Sequence, residues 1–216
     1  SFPTRRSSDL QIIGSANNSG EAYLVDSISP TLFTSNTTLN AKWIDVTPPA
    51  VTITRQTYKT FTYSATDNLS VRGYKVTTTA NQPSATESGW SSSPSVVTID
   101  GAKTYYVWAK DAVGNVSSPV FIQSYTLVRS QGTHTNLKVK ADTLTSSEGT
   151  TITAGTTYVL NGTPVYVEAS ASTGYRVTLS AFNSSLSTED GTVDKTGTIS
   201  NSTAIMSTAT AINYAI

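Results

Sequence analysis

The side chains of this chain best suited to chemistry are hard oxygen donors placed at turns. Asp45 stands just ahead of the Thr47-Pro48-Pro49 break, Asp67 and Asn68 fall in ATDN, and Asp111 and Asn115 bracket the run DAVGN. Calcium takes about six to eight oxygen ligands, and these residue types supply several of them. A cation held there would also clamp the joint to whatever module precedes it. The same residues have a second use. Asp and Asn accept hydrogen bonds from their own backbone one turn on, and Gly114 supplies the positive φ that such a turn needs. Both readings place the five residues in loops; only the calcium reading requires the loops to converge.

Aromatic side chains offer another chemistry. Trp90, Trp108, Tyr105 and Tyr106 could present flat faces for stacking on sugar rings, or could fill the core of a cysteine-free fold. Strand alternation turns Trp108, or its neighbours Tyr105 and Val107, inward. Catalytic constellations are missing. The single histidine, His134, sits in a polar stretch with no nucleophile paired to it, and no Gly-x-Ser-x-Gly elbow occurs. Carboxylates are scattered at turns rather than opposed as a glycosidase needs, and the glycines are isolated turn residues rather than a phosphate cradle. No enzymatic activity is expected, and no cofactor other than the calcium candidate. Lys59 and Lys75 on strands are the residue type of an intramolecular isopeptide bond, but their spacing does not single them out.

Composition narrows the class further. Among 216 residues, 14 Lys and Arg balance 14 Asp and Glu, which argues against a nucleic-acid partner because such proteins carry a basic face. Cysteine is absent, so disulfide scaffolds, thiolate zinc sites and cysteine nucleophiles are excluded. No apolar run approaches the roughly 20 residues that span a bilayer, so no membrane insertion is expected of this segment. Ser and Thr number 69, close to a third of the chain, while 11 Tyr, 5 Phe and 3 Trp supply enough large side chains for packed cores.

The elements that must carry these residues read as strands throughout. Residues 1–10, SFPTRRSSDL, match an in-frame translation of a sequencing-library adapter and are set aside, so the chain is taken as a fragment. The paired prolines at 48 and 49 and the polar stretch RSQGTHT at 129–135 divide the rest into three modules, 11–46, 47–128 and 129–216. In the middle module, period-2 alternation marks strands over 50–54, 57–66, 71–79, 96–99, 104–110 and 120–127. Six or seven short strands in about 80 residues without helical periodicity predict a two-sheet sandwich. Alternation also predicts strands over 137–141, 158–160, 165–169, 176–181 and 204–212.

Several of these segments carry a resemblance. ATDN at 65–68, GYKV at 73–76, SGW at 88–90 and YYVWAKDAVGN at 105–115 resemble the bacterial Ig-like domains strung along Gram-positive surface proteins. TLNAKW at 38–43 is similar to the closing strand of internalin-type B-repeats, which are small β-grasp-like modules. GTTYVLNGTPVYVEASASTGYRV at 155–177 resembles the same group, although Ala181-Phe182 stands where the family usually has Trp. The resemblance implies an all-β architecture with an Ig-like sandwich flanked by β-rich repeat modules. It further implies a non-catalytic stalk or spacer of a large extracellular, cell-surface bacterial protein. The expected partners are neighbouring modules of the same chain and, beyond them, host or cell-wall glycans or proteins. A carbohydrate-binding or adhesive accessory module of an extracellular enzyme is the alternative.

Overall fold

The computed structural model describes residues 45–153 and 155–212. The chain forms two compact units, Ser1–Val46 and Thr47–Ile216. Of the first, only half-buried Asp45 and exposed Val46 are described. The resemblance at 38–43 and nearly all of the expected 11–46 module therefore lie outside the described residues. In the second unit every described element is a strand, as the alternation predicts, and among the described residues no helix is long and apolar enough to cross a membrane.

The first six strands build one sandwich. They are β1 (Ala50–Arg55), β2 (Thr60–Thr66), β3 (Val71–Thr77), β4 (Val97–Thr98), β5 (Thr104–Asp111) and β6 (Val120–Gln131). One sheet runs β1-β2-β4, while β3, β5 and the start of β6 pair in order in another. Between the sheets, Phe61 and Tyr63 from β2 meet Tyr74, Tyr105, Val107 and Ala109, with the Phe61 ring edge-on to Tyr105 at 5.7 Å. The inward residues are spaced by two, the period at which strand side chains return to one face.

Eight further strands follow among the described residues: β7 (Thr135–Ala141), β8 (Thr150–Thr151), β9 (Thr156–Leu160), β10 (Pro164–Ala171), β11 (Tyr175–Ala181), β12 (Ser184–Glu189), β13 (Thr192–Thr198) and β14 (Thr203–Ala211). A sheet ordered β13-β10-β7-β8 packs on one that contains β12-β11-β14-β6. Leu137, Val139, Val165, Val167, Val177, Leu179 and Ile205 fill the space between them. The second half of β6 and β7 to β14 thus form a second pair of stacked sheets with no helix among the described residues, rather than a sheet grasping a helix.

The boundary expected at 128/129 falls inside a strand. β6 is 12 residues long and runs without a break from the first sandwich into the second. Its start pairs with β5 over Thr104–Val107, its middle with β9 over Thr156–Leu160, and its end runs parallel to β14. Polar composition at RSQGTHT suggested a linker, yet Arg129, Ser130 and Gln131 are strand residues paired with Ile205, Met206 and Ser207, and the Arg129 N–H donates to the Gly155 carbonyl at 2.7 Å. The turn comes only afterwards, at Gly132 to His134, where His134 takes a φ of 59° and stacks on Tyr175 at 4.3 Å.

Alternation along β6 feeds both cores. Ile122 packs in the first core, whereas Tyr125 and Leu127, on the opposite face, pack in the second. The outward side chains change correspondingly, with Phe121 exposed in the first half and Val128 in the second. Between them sits Ser124, buried. Its Oγ donates to the Gly101 carbonyl at 2.5 Å and accepts from the Lys103 N–H at 3.0 Å.

Candidate functional site

Two of the five oxygen-donor residues come together at the end of the first sandwich where the unit begins. Asp67 follows β2 and Asp111 ends β5, and one carboxylate oxygen of each lies within 4.8 Å of the other. Asn68 is exposed on the same loop as Asp67, and half-buried Asn115 follows Asp111 around its turn. Asp45 belongs to the first unit and is described there by itself, as half-buried.

Turn chemistry accounts for most of what these carboxylates do. Asp111 Oδ1 accepts from the backbone N–H groups of Val113, Gly114 and Asn115 at 2.9, 2.7 and 2.8 Å, and Oδ2 accepts from the Asn115 side-chain amide at 2.6 Å. Gly114 takes a φ of 100°, open to glycine and strained for other residues. Burial of Asp111 raises the cost of its charge, but the four donors outweigh burial and hold its pKa below the usual carboxylate value. Asp67 Oδ2 accepts from the N–H groups of Leu69 and Ser70 at 2.9 and 3.0 Å. Its Oδ1 is buried and makes no hydrogen bond. Asp67 and Asp111 could contribute to a calcium shell, yet neither the Asp111 turn nor its depressed pKa requires a cation.

The four aromatics do not share a face. Tyr105 is in the first core, where its hydroxyl donates to Asp100 at 2.7 Å. Trp108 lies on the outward face of β5 by alternation but is 1% exposed, and its indole N–H donates to Thr77 Oγ1 at 2.9 Å. That outward face is roofed by the connection 78–96. Lys110 Nζ reaches the Ala85 carbonyl at 2.6 Å and stands 5.0 Å from the Trp90 ring, Gln82 bonds the carbonyls of Val116 and Ser117, and Ser91 pairs with Tyr74. Lys75 is engaged there too, with Glu87 and the Ser88 carbonyl. Trp90 is half-buried, its N–H given to the Ser84 carbonyl at 3.0 Å. Tyr106 is half-buried beside Phe121, the rings 5.9 Å apart and tilted by 47°.

The feature with the largest structural consequence lies at the joint between the sandwiches. Tyr58, on the β1–β2 turn of the first sandwich, packs its ring against the second core, and Leu160, closing β9 of the second, is fully buried in the first. The backbone registers the exchange, since the Leu160 N–H donates to the Tyr58 carbonyl at 2.8 Å and the Asn161 N–H to the Gln123 carbonyl at 2.8 Å. Asp142 adds a charged tie. Its Oδ2 accepts from the Tyr58 N–H at 2.7 Å while Oδ1 pairs with Arg55. Asp142 holds a φ of 63°, a left-handed conformation that Asp tolerates better than most residues.

Sequence reasoning missed this joint. Leu160 reads as one more inward residue of an alternating strand, Tyr58 as a turn residue, and no local pattern says which core either will enter. The switch of inward face along VFIQSYTL at 120–127 is the signal that was available. Ile122 and Tyr125 are three apart, so they cannot share a strand face. No family model, no curated protein and no solved structure matches the chain.

Proposed function

We propose that residues 47–212 are a non-catalytic, stiff spacer within a larger extracellular bacterial surface protein, a piece of stalk that holds other modules at a fixed separation. The observation that carries this reading is the exchange of Tyr58 and Leu160 across a strand common to both sandwiches. A hinge needs a segment that can change its dihedrals without breaking a core, and β6 offers none between Val120 and Gln131, because each residue there is in a ladder or a core. At about 3.3 Å per residue, β6 alone sets a rigid length of about 40 Å.

Other features agree with the reading. The division of β1, β2 and β4 from β3, β5 and β6 is the sheet arrangement expected of an Ig-like sandwich, the family that the 65–115 motifs resemble. A cysteine-free chain with abundant Ser and Thr and no net charge suits an exported module that folds without oxidation and stays solvated through hydroxyls. The carbohydrate-binding or adhesive alternative needs an exposed aromatic face. Tyr105 and Trp108 are buried, leaving half-buried Trp90 and the tilted Tyr106 and Phe121 pair as the aromatic surfaces such a ligand would use.

The test uses the absence of native cysteine. Spin labels at Ser64→Cys and Thr210→Cys, exposed sites in the two sandwiches, should give one narrow distance distribution by double electron–electron resonance. A broad or two-peaked distribution would remove the spacer reading.

A further inference from the structure

The path of the chain through the unit has a mechanical consequence. Ala50 opens β1 opposite Thr66, at the pole where Asp67 and Asp111 meet, and Arg55 closes β1 at the joint, paired with Asp142. β6 also runs from the first sandwich through the joint and out to Gln131. β14 runs parallel to it, from Thr203 opposite Leu127 near the joint to Ala211 opposite Tyr175 at the far end. Among the described strands of the unit, β1 therefore starts at one end and runs to the joint, and β14 runs from near the joint to the other end.

The last strand is also an inner one. β14 is paired on both sides, with β6 from Thr203–Ser207 and with β11 from Met206–Ala211. It buries Ile205 between the sheets, and its Ser207 hydroxyl bonds Thr135 Oγ1 at 2.8 Å. Withdrawing it along its axis loads the rungs of both ladders together, whereas lifting one end away from β11 breaks them one at a time.

We infer that the unit is built to bear tension along the stalk, with β1 at one end and β14 at the other loaded in shear. This rests on the spacer reading and adds to it that the stalk works under pull, as a passive separator need not. The ladder geometry makes the resistance directional. Force applied from end to end meets concerted rupture, and force applied across the far end meets sequential rupture of β14 from β11.

Single-molecule pulling on the full chain tests this, with handles on introduced cysteines. One variant carries Thr47→Cys and Ile212→Cys, which load the unit end to end. The other carries Thr173→Cys and Ile212→Cys, which sit at neighbouring points because the Ile212 N–H donates to the Gly174 carbonyl at 2.8 Å. At equal loading rate the end-to-end geometry should unfold at a force about twofold or more above the peeling geometry, since forced unfolding is set by the barrier along the pulled direction. Equal forces, or a lower end-to-end force, would overturn the inference. The spin-label distance would still stand in that case, so a rigid spacer that carries no load is distinguishable from one that was never rigid.

Discussion

Leu160 and Tyr58 bond to each other through the backbone at 2.8 Å and send their side chains into each other's sandwiches. Each core is thus closed by a residue whose neighbours in sequence belong to the other. Leu160→Ala leaves a cavity in the first core, which costs about 2 to 5 kcal/mol for a fully buried leucine. Chemical denaturation should show the loss, and it should appear as a shift of one transition, not as early melting of part of the molecule.

Asp142 separates charge from shape at the joint. Asp142→Asn keeps an acceptor for the Tyr58 N–H and tolerates the left-handed φ, so only the part-buried ion pair with Arg55 weakens, at about 1 kcal/mol. Asp142→Ala removes the acceptor and adds backbone strain, and should cost about 2 kcal/mol or more. Equal losses from the two variants, read from urea midpoints, would mean that the tie is purely ionic.

Asp111 gives the unit an acid limb. Its pKa is lowered in the folded protein by the donors of its own turn, so its contribution is present above the unfolded carboxylate pKa of about 3.9 and is lost as pH falls through the folded value. Asp111→Asn should lower stability at neutral pH and flatten the decline below about pH 4. A decline of unchanged slope would assign the acid sensitivity to other carboxylates.

Calcium should matter little if turn chemistry is the use of these loops. A site with a dissociation constant near 1 mM or weaker adds less than about 0.5 kcal/mol at about 1 mM Ca²⁺. Calorimetric melting with and without the ion reads this directly. A large upward shift abolished by Asp67→Asn, which removes a buried carboxylate oxygen that makes no hydrogen bond, would establish a cation site.

Strands with large inward residues were legible in the sequence, and those without were not. Tyr63 alternates with polar Thr62 and Ser64 and marks β2 at once, while the dense β-branched and aromatic residues around Val107 and Val167 mark β5 and β10. β12 (SSLSTE) and β13 (TVDKTGT) carry mostly exposed small or polar side chains at the sheet edges, so no periodic apolar signal announces them. The turn chemistry of Asp67 and Asp111 was readable because Asx turns act over a few residues. The roof over Trp108 and the exchange at the joint depend on contacts between distant parts of the chain, and local sequence does not encode such pairings.

The fusion of the two sandwiches into one body is tested most directly by asking whether one feels damage to the other. Trp90 and Trp108 both lie in the first sandwich, and Leu179 is buried in the second. In a Trp43→Phe background, Leu179→Ala should shift the urea midpoint reported by tryptophan fluorescence by the same free energy as the midpoint from far-ultraviolet circular dichroism, about 2 to 5 kcal/mol. A fluorescence midpoint that stays put while the circular dichroism splits into two transitions would contradict the account.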